Sequence, residues 1–226
     1  MIVKYPKNFS KNRNEIILDY CKDKKVLHIW AANSPSTIEK YNWKIWPLLY
    51  RDIDKVCTNQ LWIDIDKECT EFLNSKTEFK NSKIELFDMN KLEDLKYNPE
   101  IIIFWDVIEH LMNIEIALSN IKKVMNKDTL LIISTPNAYH FDAFINSIFW
   151  FEKFNDDHKI LFSYWYLKNL LSFNGLMIEK GFFTNLDWFK SKLNFFGKLR
   201  SIISFILKIF KYNSNTILLV SKLKDE

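Results

Sequence analysis

Short apolar runs alternate with longer stretches of helical period along this chain. Lys25–Trp30 (KVLHIW), Leu61–Ile65 (LWIDI), Lys83–Phe87 (KIELF), Glu100–Trp105 (EIIIFW) and Asp128–Ser134 (DTLLIIS) each have the length of a buried strand and end in polar or turn residues. Such runs belong to strands covered on both faces, the pattern of a parallel sheet between two helical layers. Between the fourth and fifth runs, Ile114–Met125 sets Ile114, Ala117, Leu118, Ile121 and Met125 on one face and leaves Lys122 and Lys123 outside it, as an amphipathic crossover helix requires. An aromatic, partly charged stretch follows from His140 to His158; residues 140–160 read as a cover over the site, ahead of a helix at Ser163–Phe173. Gly175–Phe183 and Asn215–Ser221 predict two closing strands, antiparallel to one another at the sheet edge. The expectation is a single domain over 1–226. Its class is α/β, a Rossmann-like three-layer sandwich on a mostly parallel seven-stranded sheet with an antiparallel edge strand.

Composition narrows the function classes. A formal charge of +4 over 226 residues does not nominate nucleic acid as a partner. Cys21, Cys57 and Cys69 are odd in number and lack a C-x-x-C pair, which argues against a disulfide framework or a zinc site; no metal is expected, and a reducing cytoplasm fits. Residues 1–20 hold no signal-like apolar core, and no stretch approaches about 20 uninterrupted apolar residues.

In an open parallel sheet the ligand lies beyond the carboxyl ends of the strands, so the residues after each strand carry the first candidates. Asp64 and Asp66 end the second run, Asp88 follows the third and Asp106 the fourth. A carboxylate at Asp64 can accept from both hydroxyls of a ribose. Asp88 can accept from an adenine amino group while Met89 packs on the ring. A single aspartate here could equally be a helix cap. Three at successive strand ends favour a nucleoside.

The segments VLHIWAANSPS, LWIDIDKE, LFDMNKL, FWDVIEHLMN, LLIISTPN and DHKILFSYWYLKNLLSFNGL, in this order over about residues 24–183, resemble class I S-adenosylmethionine-dependent methyltransferases, and within them enzymes of bacterial surface-glycan gene clusters. DVIEHL is the most specific piece. The resemblance implies S-adenosyl-L-methionine as cofactor, with Ile29, Trp30, Ala31, Ala32 and Asn33 as its loop, Asp64 and Ile65 at the ribose, Asp88 and Met89 at the adenine, and Asp106 near the methionine part. It also implies a sugar or surface-polysaccharide precursor as acceptor, methylated on oxygen, with nitrogen second. The family has glycines in that loop so that backbone can approach the cofactor and turn into a helix. Here Trp30 follows the first strand directly. Trp62 and Trp105 likewise stand before aspartates where a small residue is expected, and Trp43, Trp46 and Trp150 belong to the same candidate set. Glycine occurs only 3 times and tryptophan 8 times, where average usage would give about 16 glycines. Two readings stand: a cofactor-binding or interaction module that has lost catalysis, or UGA codons, reassigned to glycine in some bacterial lineages, written as tryptophan. An NAD-dependent oxidoreductase is disfavoured by the absence of G-x-G-x-x-G.

Methyl transfer from a sulfonium asks the protein to align a nucleophile and guide one proton, work suited to histidine near neutral pH. His110, within DVIEHL, and His158, beside Asp157, are the catalytic candidates; His28, inside the first strand, reads as structural. Residues 189–212 carry Phe195, Phe196, Leu199, Ile202, Ile203, Ile206, Ile209 and Phe210 at helical spacing among lysines and Arg200. This basic amphipathic insertion could lie on an anionic inner-membrane surface or pack on the domain or a second copy.

Overall fold

The computed structural model describes residues 4–6, 8–10, 12–29, 38–39, 49–76, 79–152, 155–184 and 214–224. Trp30, Ala31, Ala32 and Asn33, Trp43 and Trp46, and the whole insertion 189–212 lie outside the described residues.

The strands are β1 (Asn8–Ser10), β2 (Lys25–Ile29), β3 (Asn59–Asp64), β4 (Ser82–Leu86), β5 (Ile101–Trp105), β6 (Leu130–Pro136), β7 (Leu176–Thr184) and β8 (Thr216–Leu223), in one sheet of order β1-β7-β8-β6-β5-β2-β3-β4. All pairings are parallel except those of β8 with β6 and β7. The seven strands read from the sequence are all present, with ends shifted by one or two residues. The three-residue β1, which extends the sheet beyond β7, is an addition the sequence pattern did not announce.

Alternation along the central strands builds two cores. Leu27 and Ile29, Leu61 and Ile63, Ile102 and Phe104, and Leu131 and Ile133 face one side, where α4 (Ile114–Lys123) and α6 (Tyr164–Phe173) cover them with Ile114, Leu118, Ile121, Leu167 and Leu171. Val26, Ile101, Ile103 and Ile132 face the other, beneath α1 (Arg13–Cys21) and α2 (Leu49–Asp54), through Ile16, Ile17, Cys21, Leu49 and Ile53. The third exposed-edge helix, α3 (Lys67–Asn74), is capped by Asp66, whose side chain accepts from Cys69 N at 3.0 Å. The three cysteines are buried free thiols. No helix among the described residues is long and apolar enough to cross a membrane.

After β6 comes α5 (Phe141–Ile148), and the end of this helix bears on the tryptophan excess. Trp150 N donates to Ser147 O at 3.2 Å and Phe151 N to Asn146 O at 3.3 Å, the paired bonds of a left-handed helix stop. Trp150 supplies the left-handed residue, at φ 68°, with its side chain 96% exposed. Gly175, at φ 77°, occupies the corresponding place after α6. A side chain with a Cβ is strained in this conformation, and an exposed indole recovers no packing there. Trp150→Gly is therefore expected to raise stability by about 1 kcal/mol, read as a higher urea midpoint at unchanged slope.

Candidate active site

A cleft opens at the carboxyl ends of β2, β3 and β4. It is lined by Ile29, Ile63, Asp64, Ile65, Phe87, Asp88, Met89 and Asn90, and on its far side by Leu111, Met112, Asn113 and Ala117. Asp64 is the last residue of β3, and Asp88 stands two residues beyond the end of β4. Asp64 is only 2% exposed, and its Oδ1 accepts from Asp66 N at 2.8 Å. Asp88 is exposed, and its Oδ1 accepts from both nitrogens of Asn90 at 2.9 Å, so it also caps the 3-10 turn Met89–Asp94. The apolar walls suit a flat ring, and the two carboxylates suit hydroxyl and amino donors. That donor set fits an adenosine.

Asp106 also follows its strand, but it is not among the residues lining this cleft. Arg13, at the start of α1, holds it: Nη1 lies 2.8 and 2.6 Å from the two carboxylate oxygens, and Ser134 Oγ donates to Oδ1 at 2.9 Å. The guanidinium also lies 4.7 Å over the Trp105 ring. Asp106 itself has φ 50°, a left-handed conformation that Asp tolerates better than most residues. Arg13 was not visible as a site residue in the sequence, being one basic residue near the start of a helix 93 positions away.

Trp62 and Trp105, which stand before aspartates in the sequence, are not among the residues lining this cleft. Side chains alternate along a strand, so Trp62 points opposite to Ile63 and Trp105 opposite to Phe104. Trp62 packs against Tyr50 at 4.3 Å between ring centroids, and His28 stacks on Trp62 at 5.8 Å and on Trp105 at 6.5 Å. His28 is buried there as a structural residue, with Gln60 Nε2 3.4 Å from its Nδ1, and burial pushes its pKa down to about 3. Both indole N–H groups are buried without an acceptor among the described residues. Buried tryptophans usually find one, and each omission costs about 1–3 kcal/mol.

His110 and His158, far apart in sequence, meet with ring centroids 4.9 Å apart. His110 sits on the 3-10 turn Ile108–His110, which leads directly into Leu111 on the cleft wall; its Nδ1 lies 3.2 Å from Asp157 O and 3.4 Å from the Asp157 carboxylate. The segment 155–160 docks on the same turn through Lys159 N and Ile160 N, both donating to Glu109 O. Glu109 is 1% exposed, and Thr135 Oγ1 donates to its Oε2 at 3.0 Å. Burial, then the Asp106 carboxylate, pushes the Glu109 pKa well above the usual carboxylate range, against the smaller pull of Thr135 and Arg13. Burial and then His110 push the His158 pKa down.

The sheet order, with its single reversed strand and a cleft at the strand ends, is that of a Rossmann-like α/β fold. The family model for the methyltransferase domain matches residues 9–180, and the chain belongs to that family. No curated protein matches it by sequence. Among solved structures it is similar to a SAM-dependent methyltransferase from Aquifex aeolicus (TM-score 0.58, 12% identity, covering 93% of this chain and 89% of that one). It is also similar to magnesium protoporphyrin IX methyltransferase from Synechocystis with bound SAH (TM-score 0.60, 11% identity, 94% and 82%). A third is N-methyltransferase NodS from Bradyrhizobium japonicum in complex with S-adenosyl-L-homocysteine (TM-score 0.57, 10% identity, 94% and 86%).

Proposed function

We propose that this methyltransferase takes its methyl group from S-adenosyl-L-methionine and transfers it to an oxygen, or in second place a nitrogen, of a sugar or surface-polysaccharide precursor. The observation that carries the cofactor reading is the convergence of Asp64, Asp88 and Met89 on one cleft at successive strand ends. In this reading Asp64 takes the ribose hydroxyls, Asp88 and Met89 the adenine, Ile29 and Ile65 the walls, and 30–33 the remaining loop. Asp106, already paired, orders the turn into Glu109 and His110. In the same reading His110, together with His158 from the cover 140–160 itself, would receive the acceptor's proton. The acceptor class rests on the likeness of the motifs to glycan-cluster enzymes, and the stretch 189–212 would hold the protein against an anionic inner-membrane surface.

The test is calorimetric titration of the full chain with S-adenosylmethionine and S-adenosylhomocysteine. Asp64→Ala should weaken binding by about 1–3 kcal/mol, roughly 5- to 150-fold, because hydroxyl donors lose a charged acceptor. Unchanged affinity would remove Asp64 from the cofactor site. Transfer of labelled methyl to nucleotide sugars, against small amines as the comparison, then tests the acceptor.

A further inference from the structure

We infer that Glu109, His110 and His158 form a divalent-cation site of two histidines and one carboxylate, set against the wall of the cofactor cleft. One ligand atom from each residue can be chosen so that all lie within 4.8 Å of one another. Facing ligands of a cation bound at about 2.1 Å are about 4.2 Å apart at most, so a contraction of about an ångström closes the site. Two of the three residues present polar atoms with no other use. Glu109 Oε1 and His158 Nδ1 are both buried and have no hydrogen-bond partner among the described residues. Buried polar atoms of this kind are expensive to leave without a partner.

The surrounding contacts are those that orient ligands. Thr135 fixes the other oxygen of Glu109. Asp157 engages His110 Nδ1 through its backbone carbonyl and its carboxylate, the arrangement that selects Nε2 as the ligating nitrogen. The Asn155 side-chain amide lies 3.3 Å from His158 Nε2; with its oxygen turned to the ring it would accept that N–H and leave Nδ1 as a lone pair.

The mixed nitrogen and oxygen set selects the zinc, manganese, iron(II) and cobalt class over calcium or magnesium, which favour oxygen-rich sites. Three protein ligands leave positions open to an oxygen of the acceptor. This deepens the proposed transfer reaction and rests on it for the identity of that oxygen. The histidines would then act on the acceptor through the cation, which would lower the pKa of a bound hydroxyl so that its proton passes to water as the oxygen–methyl bond forms and the sulfur–methyl bond breaks.

The test uses the untagged full chain, stripped with chelator and titrated with Co²⁺ by calorimetry and visible absorption. One cobalt per chain is expected, with at least about 100-fold weaker binding by Glu109→Gln and by His158→Ala, since ligand loss should exceed the 10–100-fold effect of losing an outer partner. Metal-free Glu109→Gln should melt no lower than the unaltered chain, because the amide is isosteric with the carboxyl and its oxygen can still accept from Thr135, which shows that the variant folds. No cobalt bound at millimolar concentration, or equal binding by both variants, overturns the site. S-adenosylmethionine titrated into the metal-free chain separates the two readings: cofactor binding without cobalt binding sinks only the cation site, and the reverse sinks only the cofactor cleft.

Discussion

Below pH 6.5 the fold will lose the stability linked to neutral His28, at about 1.4 kcal/mol per pH unit, down to about pH 3. The sign follows from where the proton can go. Burial lowers the folded-state pKa from 6.5 to about 3, so within that window the unfolded chain gains a proton that the folded chain refuses. The contribution is whole above 6.5 and shrinks as the pH falls. Only burial drives this shift; the ring's neighbours are the indoles of Trp62 and Trp105 and the uncharged amide of Gln60. Glu109 titrates in the opposite sense: its raised pKa stabilises the fold on acidification from above neutrality towards 4.5. The clean measurement is therefore the difference in urea stability between the unaltered chain and His28→Leu at pH 7, 6, 5 and 4. That difference should be constant above 6.5 and move against the unaltered chain by about 1.4 kcal/mol per unit below it. A flat difference would mean that the folded interior admits the proton.

Arg13→Met should cost about 2–3 kcal/mol, towards the low end for breaking a buried pair. Methionine keeps an unbranched apolar stem but removes the guanidinium from over Trp105, so the loss reports the charge pair together with that ring contact. What is stranded is Asp106, beside Glu109, with Ser134 as its remaining partner; its side chain is 34% exposed, and water recovers part of the cost. Adding Asp106→Asn to Arg13→Met should restore most of the stability, because the uncompensated charge is then gone. Equal losses in the single and double variants would show that packing, not the pair, anchors α1 to β5.

The central strands were legible because each is covered on both faces and must be apolar throughout, and α4 because Ile114, Ala117, Leu118 and Ile121 repeat at helical spacing. That Asp64, Asp88 and Met89 line one cleft was legible because they lie at or just beyond strand ends, a place set by chain order alone. Arg13 and the meeting of Glu109 with His158 were not, since each joins segments brought together only by the crossovers. Strand alternation could have corrected one placement in advance: Trp62 adjoins Ile63 and Trp105 adjoins Phe104, so the indoles had to leave on the opposite face. The three residues of β1 are too few to carry any period.

The left-handed stop at Trp150 reaches back to the gene. A ribosome that inserts glycine there would produce an unstrained helix end, so the codon expected at 150 is UGA, not UGG. An ordinary laboratory bacterium reads UGA as a terminator. If Trp30 shares that codon, such a host would release a 29-residue fragment ending where the cofactor loop begins. A synthetic gene with glycine codons at 30, 62, 105 and 150 should yield full-length protein, and peptide masses from the native cell would report glycine at those positions. Four UGG codons would instead make the strain at Trp150 genuine.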